Sequence, residues 1–404
     1  MRLRPACVYQ NAAILLACLL VLYLLYSAFS YEDIDQLKHV KQKHFFITID
    51  KERIDKRFKA LAPKRILMWT HVFREQVRNE LMAECPGLEN RCVIDSDHSK
   101  ASSSDAIVFH APDLAETKDL PPPESRSAQQ RYVFMTMESP PNTFSHAKEW
   151  PHLPKNYFNW TMTPLFNSDV IFKYGSFWLS AKEAELRGFK TTSFALDERQ
   201  ISNKKPAVFA LISNCNPQSK REVALRELAK YVNVTIGGAC ASTEELKQIC
   251  PKGKKCSEVF SEYAFVVAIE NSACVDYVTE KYWERFDLPT VLIVMRRGDY
   301  AHMNMPTKSL IAMDDFASVK EMGEYLNKLV TDKRAYSEYF AWRSGGWRLA
   351  PWNSEGFRNG YCRLCERLWE KDSQETTIED VGTWYSAESN CDKGEFVRDW
   401  IKTS

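Results

Sequence analysis

Six polar residues crowd the middle of one otherwise apolar stretch, AFVVAIENSACVDYVTEKYWERF at 264–286: Glu270, Asn271, Asp276, Tyr277, Glu280 and Lys281. Asp276 is a residue type that caps helices, and Tyr277 and Lys281, four apart, would then share one helical face. A second cation, Arg221, stands in the first turn of an earlier predicted helix, seven residues past Asn214 and eight past Ser213. Free backbone N–H groups at such a turn favour an anion. Together Arg221 and Lys281 would answer the charge of a diphosphate, while Glu280 could accept hydrogen bonds from sugar hydroxyls. Read singly, each has a plainer meaning: Arg221 an arginine on a solvated face, Glu280 and Lys281 ordinary surface charge. Neither GxGxxG nor GxxxxGK[ST] occurs, which argues against a Rossmann dinucleotide or P-loop site. A further carboxylate, Glu138, ends the apolar run RYVFMTME and is followed by Ser139-Pro140-Pro141, which predicts no immediate helix. There it either caps a turn or faces a cleft, where partial loss of water would suit a general base.

These residues need elements to hold them. Lys64–Thr70, Asp105–His110, Arg131–Glu138 and Asp169–Tyr174 read as buried strands separated by helix-length polar stretches, the pattern of a parallel α/β sheet. After a polar turn at Asn203–Pro206 a second series begins: strand Ala207–Ser213, a helix opened by a Ser219–Glu222 capping box, strand 263–270, a helix from Tyr277, strand Thr290–Met295 and helix Val319–Lys328. In parallel sheets ligands bind beyond the carboxyl ends of the strands, which is where both polar clusters fall. Two successive open sheets facing a cleft result.

The chain has 404 residues, 45% of them hydrophobic, enough for two domains. With 54 Lys plus Arg against 53 Asp plus Glu, nothing points to nucleic acid, and any anion site must be local. Residues 12–29 are uncharged and nearly as long as the roughly 20 apolar residues a membrane span needs. Arg2 and Arg4 before them predict a cytosolic tail at 1–11 and a lumenal remainder. A cleaved signal peptide is the competing reading, although the apolar run is long for one. A charge-rich stem would occupy 30–62, the first domain 63–202, the second 203–365 and a tail 366–404. Ten of the twelve cysteines lie outside the anchor region, an even number that suits disulfides in a lumenal protein. Asn159 and Asn233 begin N-x-T sequons that fit the same compartment. Cys362 and Cys365 form a CxxC with no second half to complete a zinc set.

The block Ala268-Ile-Glu-Asn-Ser-Ala-Cys-Val-Asp-Tyr-Val-Thr-Glu-Lys-Tyr-Trp283 resembles the most specific block of the alpha-1,3-fucosyltransferases that use GDP-fucose. Supporting blocks are Met137-Glu-Ser-Pro140, Asn159-Trp-Thr-Met162, Tyr174-Gly175, Ile212-Ser-Asn-Cys215 with Arg221, Asp314-Asp-Phe316, Tyr339–Arg343 and Cys362-Arg-Leu-Cys365, spanning about 65 to 365. The resemblance implies a GT-B fold, two Rossmann-like open parallel-sheet domains facing a cleft, the first for acceptor and the second for GDP-fucose. It implies an inverting displacement with no cofactor, in which a divalent metal is at most stimulatory. Glu138 would be the base, Arg221 and Lys281 would stabilise the leaving diphosphate, and Ser213, Asn214, Asn271, Tyr277 and Glu280 would contact the donor. It also implies the disulfides Cys85–Cys362 and Cys92–Cys365, and a single-pass type II protein of the Golgi membrane acting on glycoprotein N-glycans.

The chain departs from the family at Val266, Cys274, Pro164–Asn167 and Arg296–Tyr300. A cysteine at 274 looks more like invertebrate and core-fucosylating members, which favours the N-glycan core GlcNAc over antennal LacNAc or LacdiNAc units or a protein hydroxyl. The altered loops would also suit a catalytically silent glycan-binding relative. Glu138, Arg221, Glu280 and Lys281 together favour the enzyme.

Overall fold

Short runs of β-branched and aromatic residues, apolar on both faces, build two parallel sheets in the computed structural model of the chain. Residues 61–403 are described, apart from 89, 115–119, 123–124, 144–152, 191–193, 252, 351–358 and 371–375. The expected cytosolic tail, the apolar segment 12–29 and the stem up to residue 60 lie outside the described residues. Among the described residues no helix is long and apolar enough to cross a membrane. Both sheets belong to one compact unit, Ala62–Ser404.

The first sheet contains β1 (Lys64–Met68), β2 (Cys92–Asp95), β3 (Ala106–His110), β4 (Arg131–Met135), β5 (Trp160–Thr163) and β6 (Val170–Ile171), in the order β2-β1-β3-β4-β5-β6. A two-residue strand β7 (Trp178–Leu179) follows. The second sheet contains β8 (Lys205–Leu211), β9 (Val234–Gly237), β10 (Tyr263–Val267), β11 (Val291–Val294) and β12 (Leu310–Ala312), in the order β12-β11-β10-β8-β9. Strand β13 (Arg348–Leu349) pairs antiparallel with β7. Two Rossmann-like sheets in one unit fit the expected GT-B class. In the second sheet the strand order reverses between β8 and β10, so the loops after them diverge and leave a crevice. Ser213 and Asn214 follow β8, and Glu270 and Asn271 follow β10.

Several expectations need correction. Strands β2, β5, β9 and β12 escaped the sequence reading, and the strand expected over 169–174 shrinks to β6. The second domain does not run to residue 365. Helix Gly360–Trp369 buries Tyr361, Cys362, Leu364 and Cys365 in the core under β1, β3 and β4, so it belongs with the first sheet. The disulfides Cys85–Cys362 and Cys92–Cys365 fasten it there. Nor is 366–404 a loose tail. Helix Val381–Ser389 puts Val381 and Tyr385 among Phe109 and Phe134 of the first sheet and Phe158 just before β5. Helix Glu395–Lys402 then puts Val397 and Trp400 into the second core. The remaining described cysteines pair as Cys215–Cys240, Cys250–Cys256 and Cys274–Cys391.

Asn159 is no place for a glycan. It is 7% exposed, its Oδ1 accepts from the Tyr132 backbone N–H at 2.9 Å, and its Nδ2 donates to the Thr376 carbonyl at 3.1 Å. Its amide spans a gap between chain segments that a sugar would have to break open. Asn233, by contrast, is exposed just before β9.

Candidate active site

Beyond β4 the chain runs through Thr136 and Met137 to Glu138 and then, contrary to expectation, into one helical turn, Pro140–Thr143. Proline at the first helical position loses no hydrogen bond, because that N–H has no helical partner in any case. The Glu138 backbone is held on both sides: its N–H donates to Thr136 Oγ1 at 3.1 Å, and its carbonyl accepts from Thr143 Oγ1 at 3.1 Å. Its half-buried carboxylate takes one phenol on each oxygen. Tyr174 donates to Oε1 at 2.9 Å and Tyr277 to Oε2 at 2.8 Å. Tyr174 comes from the loop after β6 and Tyr277 from the loop after β10, so the carboxylate is clamped across the two halves. Burial, reinforced by the charge of Glu138, pushes both phenols above the usual tyrosine range, and each keeps its proton and donates.

Tyr277 does not stand on a helix. Asp276 has φ of 63°, in the left-handed region that helices do not use. Its carboxylate is spent elsewhere: Oδ2 accepts from the Phe166 N–H at 2.9 Å and Oδ1 pairs with His302 Nδ1 at 2.8 Å, with the His302 ring stacked on Phe166 at 4.7 Å. Asp276 therefore joins a first-sheet loop to the second sheet instead of capping. The helix that follows is only Glu280–Trp283, so Tyr277 and Lys281 share no helical face. A second cross-link runs from Asn142 Nδ2 to Ser272 Oγ at 3.1 Å.

The cationic side of the crevice is organised by a carboxylate that sequence reasoning named in the stretch but gave no role. Glu270, 6% exposed, accepts from the Thr279 N–H at 2.8 Å, from Thr279 Oγ1 at 2.7 Å and from Lys281 Nζ at 2.9 Å. Lys281 also lies 3.0 Å from Glu280 Oε1. Burial opposes its charge, yet Glu270 and Glu280 outweigh that and hold its pKa above the ordinary lysine value. Arg221 is not a solvated surface arginine. It is 4% exposed and donates to the Ile269 carbonyl at 2.7 Å, and its Nε is buried with no partner among the described residues. Burial pulls its pKa below the usual arginine value, with the charge of Glu270 working against that.

The expected capping box before Arg221 does not form, because Ser219 donates its hydroxyl to the Glu270 carbonyl at 2.8 Å and Lys220 takes the N-cap position in a left-handed conformation. Asn271 gives its carbonyl to the Ser219 N–H, and its Oδ1 is buried without a partner among the described residues. Ser213 and Asn214 are exposed on the loop after β8, which Cys215–Cys240 closes, and Glu280 is exposed as well. The structure thus brings Glu138, Tyr277, Asn271, Arg221, Lys281 and Glu280 around one crevice. Tyr174 and Glu270 are the additions. Tyr174 stood in the quoted Tyr174-Gly175 block, but nothing local reveals that its hydroxyl reaches Glu138. Among the described residues no cluster of three or more His, Cys, Asp or Glu is placed to hold a metal ion.

A base-like carboxylate on one sheet, with the buried Arg221 and the half-buried Lys281 at the switch point of the other, is a constellation for group transfer from an anionic donor. Two sequence profiles match: "Fucosyltransferase, N-terminal" over residues 61–175 and "Glycosyltransferase family 10 (fucosyltransferase) C-term" over residues 201–384. The chain belongs to the glycosyltransferase family 10 fucosyltransferases. It is therefore an enzyme, and both halves of the crevice fall inside the matched segments. Alpha-(1,3)-fucosyltransferase fut-5 of Caenorhabditis elegans is 30% identical over 351 residues, 84% of this chain and 87% of that protein. The human 4-galactosyl-N-acetylglucosaminide 3-alpha-L-fucosyltransferase FUT5 is 32% identical over 330 residues, 80% of this chain and 79% of its own. A solved structure of an alpha1,3-fucosyltransferase with GDP-fucose aligns with 79% of this fucosyltransferase and 93% of its own chain, at 17% identity and a TM-score of 0.49.

Proposed function

We propose that this enzyme transfers L-fucose from GDP-fucose to O3 of GlcNAc on a glycoprotein glycan, with inversion at the fucose C1. The observation that carries the reading is the Glu138 carboxylate clamped by Tyr174 and Tyr277 across the crevice from Arg221 and Lys281. A carboxylate has about four lone-pair sites. The two phenols take one on each oxygen, so each oxygen keeps another for an acceptor O–H.

In the reaction the acceptor oxygen forms its bond to fucose C1 while the bond from C1 to the β-phosphate oxygen breaks. The electron pair leaves with GDP, and the acceptor proton passes to Glu138. Negative charge grows on the departing diphosphate, and a fixed cation such as Lys281 gains most where that charge develops. Asn271 Oδ1 and Arg221 Nε, buried without partners among the described residues, are polar groups such a donor would satisfy. No cofactor enters this scheme, and a divalent metal would at most assist the leaving group.

Cys274, which the fold ties to Cys391, supports the N-glycan core GlcNAc as acceptor through the family pattern at that position. Five disulfides support an oxidising compartment. With the apolar segment 12–29 they make a type II Golgi membrane enzyme with a lumenal catalytic part the reading of choice. The test is to incubate the full chain in detergent with GDP-fucose and a panel of core, LacNAc and LacdiNAc acceptors, alongside Glu138→Gln. Fucosylated product is expected from the parent and at least about a hundredfold less from the variant. If no acceptor is fucosylated and GDP-fucose does not bind, the function is wrong. If Glu138→Gln stays fully active, only the base assignment is.

A further inference from the structure

The described residues from 376 onward play no part in the chemistry above, yet they touch both sides of it. Helix Val381–Ser389 begins at Asp380, whose side chain accepts from the Thr383 N–H at 2.8 Å. It carries Tyr385, 2% exposed, whose ring packs edge-on against Phe134 of β4 at 6.0 Å and whose hydroxyl donates to the backbone carbonyl of Glu138. Directly after this helix the chain lies along the other side of the crevice. The Ser389 carbonyl accepts from the Val275 N–H at 2.9 Å, Cys391 is bonded to Cys274, and the Asp392 N–H donates to the Ala273 carbonyl at 2.8 Å. Residues 273–275 link Asn271 to Tyr277. Both ends of the segment are anchored: Ile378 donates its N–H to the Phe158 carbonyl at 2.9 Å beside the first sheet, and Trp400 is buried in the second core.

We propose that this C-terminal segment is a strap that sets the base against the donor side, with Tyr385 as the positioning residue for Glu138 and Cys274–Cys391 as the bond that holds the strap in register. The inference rests on Glu138 being the base. Tyr277 fixes the Glu138 carboxylate and Tyr385 fixes the Glu138 peptide, and the loop bearing Tyr277 is bonded to the segment bearing Tyr385. The base is thereby oriented at both ends by groups that share one covalent tie. Tyr385 does not reach the reacting atoms. Its contribution is geometric, and a misplacement of about 1 Å at such a base costs up to roughly a hundredfold in rate.

This role separates from a merely structural one, because the Glu138 carbonyl also accepts from Thr143 Oγ1 and so is not orphaned when the phenol is removed. In the full-length enzyme, Tyr385→Phe is expected to lower kcat at least about tenfold, with KM for GDP-fucose within about twofold and Tm little changed. The paired variant Cys274→Ser with Cys391→Ser is expected to show the same loss in kcat. A Tyr385→Phe enzyme with kcat within about twofold of the parent overturns the proposal. Should Tyr385→Phe fail to fold, the paired cysteine variant decides on the same criterion, and failure of both to fold makes the segment a stay for the core and equally overturns it. Glu138→Gln run alongside keeps the two readings apart: if Glu138→Gln is active, the base reading falls, and if it is dead while Tyr385→Phe is unimpaired, only the strap does.

Discussion

Lys281 is the residue whose neighbours say most about how charge is kept in the crevice. An ammonium partly removed from water normally loses stability as a cation, but Glu270 at 2.9 Å and Glu280 at 3.0 Å reverse that and raise its pKa. A lysine whose folded pKa lies above its unfolded value of about 10.4 adds stability that is fully present below that value and is lost only as pH rises through the folded one. Lys281 therefore stays charged across the working range, and no basic limb of the rate profile below about pH 10 belongs to it. Lys281→Met is expected to lower kcat/KM for GDP-fucose by about 10² to 10³, the usual cost of losing one fixed charge-stabilising group. It should also lower Tm at about pH 9, where Lys281 is still charged in the parent, because Glu270 is left buried without its cation. Steady-state kinetics and melting curves check both parts; an unchanged Tm at about pH 9 would sink the pairing argument.

At the scale of elements, the close approach that makes the clamp is set by Gly175. A Cβ there would sit 2.1 Å from Trp283 Cδ2, so only glycine lets the chain after Tyr174 run under the indole of the short helix Glu280–Trp283. Gly175→Ala must displace either Tyr174 or Trp283; it is expected to cost about 1–3 kcal/mol of stability and to lower kcat by shifting the clamp, read from melting curves and single-acceptor kinetics. Unchanged values of both would refute it. Such contacts mark the limit of what the sequence made legible. The long apolar runs of β3, β4, β8 and β11 announce themselves, as do the polar residues that follow β10. Strand β5 does not, because Thr161 and Thr163 look too polar to bury. Their hydroxyls are satisfied by Asp169 and Ser168, partners brought in by the fold. Asn159 reads as a surface sequon for the same reason: its amide partners, Tyr132 and Thr376, are remote in sequence. The left-handed turn at Asp276 broke the helical spacing on which the Tyr277–Lys281 pairing was built. Cys85–Cys362 and Cys92–Cys365, by contrast, were reachable through the family resemblance, and the structure forms those pairs.

For the whole molecule, the seam between the two sheets holds a titratable group with no part in the chemistry. Lys173, just after β6, donates to the Ser176 carbonyl at 2.7 Å and lies 3.7 Å from Met303 Sδ on the second-sheet side. Burial drives its pKa well below that of a free lysine, against the opposing pull of Asp276, so closing the seam favours the neutral amine over the charged one. Between its folded pKa and about 10.4 the unfolded chain binds one proton more than the native one. Stability contributed by this position is thus complete above that window and falls as pH falls through it, by up to about 1.4 kcal/mol per pH unit. Any motion that opens the seam lets water reach Lys173 and lets it charge, so acid favours the opened or unfolded chain over the closed one. Lys173→Met keeps the length of the side chain, loses the bond to Ser176 and cannot charge. Its Tm relative to the parent should therefore climb as pH is lowered below about 10, from parity or a small deficit to a gain. Melting curves of the two proteins across that range test the claim, and a pH-independent difference would show that Lys173 is already charged when the sheets are closed.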